Sequence, residues 1–381
     1  MKKTLVTMLA GLSVATYAPA LLAKSTVGGI VFLNTYSQSI EKGYLNSTDA
    51  DRFKVDVPGN TRLRVKWTNE DRISMYTELG LGSKVSLRHA WGKWDFSETW
   101  QVMAGHTSTP FAPLNPNVAM VHNSGQGVGS VSPSRQAQLR FTYKFLNRQG
   151  ALAVALVDPN NGATLTDKVA AGNLGTKETS LPRIDIGMAY RTANWQIFPS
   201  VFYQTQDYSS LTTAGSDNSV DSWGASLGFK TAFGPLTVTA EVGSGQNWGN
   251  TKMSLSGSAA GDNAAAVTYA SGGITKIADM DNTGYWIDLG YRFTTTNTKG
   301  AVHLIYGSLT SESSASVASA NNDIESTMLG LSIPIDMPWI ARGFRVRPEL
   351  FVFDYGNNTI AGTAVESGQQ TIAGVQLQYT F

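Results

Sequence analysis

The chain has 381 residues, 29 Lys and Arg against 28 Asp and Glu, 38 glycines, 9 tryptophans, only 15% charged residues and no cysteine. The missing cysteines exclude disulfides, thiol catalysis, iron–sulfur clusters and covalent haem. Net charge is close to zero and says nothing about partners, so function must be read from where the charges fall.

Met1 to Ala23 reads as a secretory signal, with Lys2 and Lys3 at the charged start, Leu5 to Ala15 as the apolar stretch, and cleavage expected after Ala20 or Ala23. That stretch is too short to cross a bilayer, and no later segment approaches the roughly 20 apolar residues of a helical span. A membrane protein built from residues 24–381 must use strands, and strands survive in lipid only as a closed barrel. One barrel domain is expected, with neither a plug nor a heptad segment.

From Thr26 onward, strand-like segments recur, joined alternately by tight turns and by longer polar loops. The turns are Asn69 to Asp71, Asp95 to Glu98, Asn147 to Gly150, Thr192 to Asn194, Phe233 to Pro235, Asn297 to Gly300 and Ile335 to Ala341. The long stretches are Ser37 to Ala50, Thr107 to Ser134, Asp158 to Leu181, Tyr208 to Ser219, Asn247 to Asn282, Ser311 to Asp323 and Gly356 to Gln369. With a very short link at Gly82-Ser83, eight loops and seven turns give about sixteen strands in an antiparallel up-and-down transmembrane β-barrel. Asn247 to Asn282, rich in Ala, Ser, Gly and Asn, reads as a mobile external loop. Trp67, Trp94, Trp195, Phe233, Phe293, Tyr379 and Phe381 lie near turns, and Trp223, Trp248 and Tyr285 near loops, as two interfacial belts. In the last segment, Ala373, Val375, Leu377, Tyr379 and Phe381 share one face, and Gly374, Gln376, Gln378 and Thr380 share the other.

Function should sit on the polar faces. Thr61 to Trp67 alternates without a break, so Arg62, Arg64 and Lys66 point one way and Leu63, Val65 and Trp67 the other. A basic row facing lipid would cost several kcal/mol at mid-depth, so the row faces the lumen. The same parity turns Arg88 inward with Ala90 and Gly92, Gln138 with Arg140, Arg183 with Asp185, and Arg345 and Arg347 with Glu349. Glu78, Glu241 and Asp288 also point inward. Arg62, Arg64, Lys66, Arg88, Arg135 and Arg140 then form a cationic wall, with pairing to Glu78 as the structural alternative.

Leu87-Arg88-His89-Ala90-Trp91-Gly92, then Ala104-Gly105-His106-Thr107, a long third loop, and Arg135 to Tyr143 resemble the trimeric Gram-negative porins, most closely the DcaP-like branch. The resemblance implies a sixteen-stranded homotrimer in the outer membrane, in contact with lipid and lipopolysaccharide, whose third loop folds inward to form a constriction. It places Arg62, Arg64, Arg88 and Arg135 on the basic side opposite that loop, and Phe111 and Asn115 on the loop itself. The chain departs from general porins in two ways. Its second loop has almost nothing with which to latch onto a neighbouring subunit, and Thr107 to Ser134 contains no Asp, Glu, Lys or Arg.

His89, His106, His122 and His303 have no metal-ligand spacing, and Asp279, Asp281 and Asn282 read as solvated loop residues rather than a calcium site. No metal, cofactor, catalytic residue or nucleic-acid partner is expected. The expected function is passive diffusion of small hydrophilic solutes with a preference for anions. The competing readings are a surface or adhesin barrel with an occluded lumen and, less favoured, a barrel hydrolase.

Overall fold

A computed structural model describes residues 24–381 except 44–45, 47, 118–120, 123–126, 133–134, 160–176, 209–218, 252, 259–262, 271–272, 314–322, 361 and 367. The signal segment Met1 to Ala23 lies outside the described residues.

Sixteen antiparallel strands close into a barrel. β1 is Lys24–Ile40, and β2 consists of two segments, Ala50–Asp56 and Arg62–Thr68, both paired with β1. Then come β3 (Ile73–Leu81), β4 (Val85–Trp94), β5 (Trp100–Thr107), β6 (Gln136–Phe145), β7 (Gly150–Val157) and β8 (Arg183–Arg191). β9 (Trp195–Tyr208), β10 (Ser219–Phe233), β11 (Leu236–Gln246), β12 (Met280–Thr294) and β13 (Lys299–Ser313) follow. The last are β14 (Asp323–Ser332, with Ile335–Asp336 continuing its pairing), β15 (Phe344–Asp354) and β16 (Gln369–Thr380). Ile335 and Asp336 therefore belong to the sheet rather than to the expected turn, which runs over residues 337–343. β16 returns to β1 with Ile30 opposite Thr380 and Ile40 opposite Gln370. Closure leaves no unpaired edge in the wall, which is what lets strands cross hydrocarbon.

Alternation drives this fold. Along β12 and β16, Ile287, Leu289, Tyr291, Val375 and Tyr379 are exposed, whereas Asn282, Asp288 and Gln376 are buried. The outer face is a continuous apolar belt, including Leu139, Phe141, Leu152, Leu156, Leu227, Leu304, Leu329 and Leu350. A belt of that extent on a closed barrel belongs in lipid. Trp94, Trp195, Phe233, Tyr379 and Phe381 are exposed near the turn rim and Trp223 and Tyr285 near the loop rim, which gives the two belts. The β10–β11 hairpin turns through Gly234, at φ +58°, followed by Pro235 with its fixed φ.

Three expectations are corrected. First, Trp248 does not join a belt; it is fully buried in the lumen with Phe111 and Phe202 around it. Second, the β11–β12 loop is not wholly external. Trp248, Met253, Leu255, Ala264 and Ala265 are buried, because these few apolar residues in a polar segment fold back into the barrel. Third, β4 carries a bulge: Glu78 pairs with His89 and Leu79 with Leu87, which leaves Arg88 unpaired between them. The extra residue reverses parity. His89, Trp91 and Lys93 follow Arg88 into the lumen, and Ala90 and Gly92 face outward.

Candidate functional site: a constriction between a basic wall and the third loop

Arg62 and Arg64 project from β2, Tyr76 and Glu78 from β3, and Arg88 from the β4 bulge. They meet on one carboxylate. Arg64 Nε donates to Glu78 Oε2 at 2.9 Å, Arg88 Nε to Oε1 at 2.7 Å, Arg62 Nη1 to Oε1 at 3.4 Å, and the Tyr76 hydroxyl to Oε2 at 2.7 Å. The Glu78 side chain is only 3% exposed, while those of Arg62, Arg64 and Arg88 remain 17%, 35% and 16% exposed. Three guanidiniums on one carboxylate leave the cluster with a net charge of +2. Arg135, just before β6, donates from Nε to His89 Nε2 at 3.1 Å, and His89 Nδ1 lies 2.8 Å from Thr107 Oγ1. Since Arg135 can only donate, His89 accepts at Nε2 and donates from Nδ1. Burial, and then the neighbouring Arg88, push the Arg135 guanidinium below its ordinary pKa.

The third loop lies against the opposite wall, held by its own backbone. The Ala112 N–H donates to Ser200 Oγ at 3.0 Å and that of Leu114 to Glu241 Oε2 at 3.2 Å. Asn117 donates from its backbone N–H and from Nδ2 to Asp288 Oδ2, both at 2.9 Å, and the Val121 N–H donates to Glu349 Oε2 at 2.7 Å. Asp288 is backed by His303 at 2.8 Å, and Glu349 by the Ser332 hydroxyl at 2.7 Å. A loop without acids is thus seated by acids of the wall, because orphan N–H groups need acceptors and carboxylates are the strongest ones.

Along residues 111–117 the loop alternates: Phe111, Leu114 and Pro116 are buried against the wall, whereas Pro113, Asn115 and Asn117 are exposed. Asn115 accordingly sits on the lumen side. Phe111 does not line the channel; it is 1% exposed, edge-on to Phe202 at 4.7 Å and to Trp248 at 5.6 Å. His122 packs on Tyr36, Phe351 and Phe353, and burial, with Lys54 nearby, pushes its pKa down to about 4. It does not meet His106, which faces outward from β5.

The loop between β11 and β12 packs beside the third loop. Ser254–Leu255 pairs with Val131–Ser132 as a small antiparallel ladder inside the barrel. Arg183 forms a fully buried bidentate pair with Asp185, at 2.7 and 3.0 Å, and donates from Nη1 to the Thr251 carbonyl at 2.8 Å. Arg140 is tied to Gln138 Oε1 and to the Ser108 carbonyl, where the third loop begins. Lys66 faces the lumen and is exposed. Arg345 pairs with Asp336 at 2.7 Å near the turn rim, away from the arginine cluster, and Arg347 is buried on the wall. Asp279 and Asp281 accept hydrogen bonds from Asn247 and Gln246, and Asn282 accepts one from the Trp248 N–H.

Tyr76, His89 and Trp91 join the site without having been picked from the sequence, and Glu241 and Asp288 act as loop anchors rather than as channel acids. The one legible signal was Arg88-His89, two polar residues in succession inside an alternating strand.

The closed barrel with an inward third loop matches known architectures along nearly its full length. The outer membrane channel DcaP of Acinetobacter baumannii superposes with a TM-score of 0.71 at 16% identity, covering 96% of this chain and 99% of that one. The chain has the fold of an outer-membrane porin. The trimer form of OmpT of Vibrio cholerae follows at 0.56 and 11% identity, with 94% and 100% covered, and Salmonella typhi OmpF in complex with daunomycin at 0.56 and 12%, with 94% and 98% covered. No family model and no curated protein matches the sequence. With its lipid-facing belt, a barrel of this fold is at home in the Gram-negative outer membrane.

Proposed function

We propose that this protein is a porin that lets small hydrophilic solutes diffuse passively across the outer membrane, prefers anions and catalyses no reaction. One observation carries the preference: the inward acids are already engaged. Glu78 is shared by three arginines, and Glu241, Asp288 and Glu349 accept the third loop's N–H groups. Those three acids are at most 5% exposed beneath the loop, whereas Arg62, Arg64 and Arg88 stay part-exposed, so the charge that faces the narrows is positive, where low-dielectric walls focus it. Arg62, Arg64, Lys66, Arg88 and Arg135, faced by Asn115, are the residues expected to set selectivity.

The assembly we infer is a homotrimer among lipid and lipopolysaccharide, exported with residues 1–23 removed. Its contact face would be the outer side of β3 to β6, where Thr77, Ala90, His106 and Ala137 form one register row. An imidazole on that face, six residues above the Trp100 belt and so about 15 Å into the hydrocarbon, is better placed against another subunit than against lipid.

The inward β11–β12 loop favours a second reading, a barrel occluded in its resting state that works through its surface. Planar-bilayer recording separates the two. Large stepwise currents with an anion-directed reversal potential in a KCl gradient are expected, and a purified, folded barrel that never conducts would refute the channel.

A further inference from the structure

The β4 bulge brings an indole into the channel. Trp91 lies opposite Tyr76 in register, and their rings are 5.5 Å apart at 32°. On the next strands, Lys66 is Tyr76's partner on β2 and Gly105 is Trp91's partner on β5. Gly105 has no side chain to cover the indole, and its φ of +137° and a contact of 2.6 Å from a built Cβ to Trp91 Cα bar most others. One register row away stands Arg64 with Glu78 and His89.

This aromatic pair differs from the other inward-facing strand aromatics whose side chains are described. Phe32, Tyr36, Phe198, Phe202, Trp286, Phe351 and Phe353 are all buried, most of them beneath the infolded loops. Tyr76 and Trp91 instead keep partly open surface, on the basic side. Open aromatic surface beside a row of cations in a wet channel offers two complementary contacts to one kind of molecule: a π-face for a flat ring and guanidiniums for its carboxylate. The step between the two rows is about 7 Å along the strand, comparable to the length of an aryl carboxylate.

We propose that Tyr76 and Trp91, with Arg64 and Lys66, form a subsite for aromatic carboxylates on the path of permeating anions. The subsite rests on the anion-channel reading above and adds a preference by ring type that charge alone does not give. Benzoate and cyclohexanecarboxylate carry the same charge and nearly the same volume, but only benzoate presents a flat π-face. The Tyr76 hydroxyl already donates to Glu78, so it holds the shelf to the arginine cluster and is not needed for stacking.

The test uses the purified full barrel in planar bilayers, recording current block by benzoate and by cyclohexanecarboxylate, with the chloride reversal potential measured on the same channels. Benzoate is expected to dwell about three- to tenfold longer, the range of a stacked aromatic pair. Trp91→Leu should erase this difference while chloride preference stays, and Trp91→Phe, which keeps a ring, should retain part of it. Heat-modifiable migration on gels confirms that each variant is folded. Equal dwell times with chloride preference intact would overturn the subsite alone, as would a benzoate advantage unchanged in Trp91→Leu. Absence of anion preference in the parent channel would overturn the channel reading and the subsite together.

Discussion

Glu78 allows one cluster to be pushed in opposite directions. The three arginines around it carry +3 and the carboxylate −1, so Glu78→Gln raises the local charge from +2 to +3, and Arg62→Gln with Arg64→Gln lowers it from +2 to 0. For an ion passing about 7 Å from the cluster, Coulomb's law at the dielectric constant of water gives about 0.6 kcal/mol per unit charge, and screening at 0.1 M salt roughly halves it. Anions gain what cations lose, so each unit charge shifts the anion-to-cation permeability ratio about threefold. Glu78→Gln should raise the ratio by that factor, and the double Gln variant should lower it about eightfold. Removing the shared acceptor also costs stability, on the order of 1 to 3 kcal/mol, less than for a dry ion pair because the arginines are part-exposed. The assay is reversal potential in a KCl gradient across a planar bilayer, with gel heat-modifiability as the control for folding. If the two variants shifted the ratio in the same direction, or neither shifted it, the cluster would not be the selectivity element.

Two further outcomes follow from the parity of β4 and the seat of the third loop. Ala90→Arg should impair assembly at a cost of about 2 to 4 kcal/mol, because the bulge aims it out of the wet lumen onto the apolar outer face of the barrel, while Trp91→Gln should fold; pulse-chase assembly into outer membrane checks both, and the reverse result would remove the bulge. The His122 pKa of about 4 lies below the ordinary 6.5, so a released loop binds the proton more readily than a seated one. Loop seating is then fully stable above about pH 6.5 and loses on the order of 3 kcal/mol as pH falls towards 4. Open-channel noise should rise across that window in the parent and stay flat in His122→Phe, and a pH-independent parent would contradict it.

The sequence by itself determined the barrel, its sixteen-strand topology and the lumenal basic row on β2. Those are local properties: alternation from Thr61 to Trp67 assigns faces without knowledge of any partner, and turn spacing counts strands. Of the bulge at Arg88 it carried only the polar pair Arg88-His89, which does not fix the register beyond it, since one extra residue leaves composition unchanged while exchanging the faces of Ala90 and Trp91. Nor could it assign the acids. Glu78, Glu241, Asp288 and Glu349 look alike on their strands, yet the first gathers arginines and the others seat a loop that reaches as far as 228 residues along the chain. Likewise the apolar residues of a polar-looking loop, Trp248, Met253 and Leu255, drew it inward only because closure had already enclosed Phe111 and Phe202 as a surface for them to bury. Faces are fixed by the pleat; partners are fixed by closure and by the path of the loops, which bring together groups with no neighbourhood in sequence.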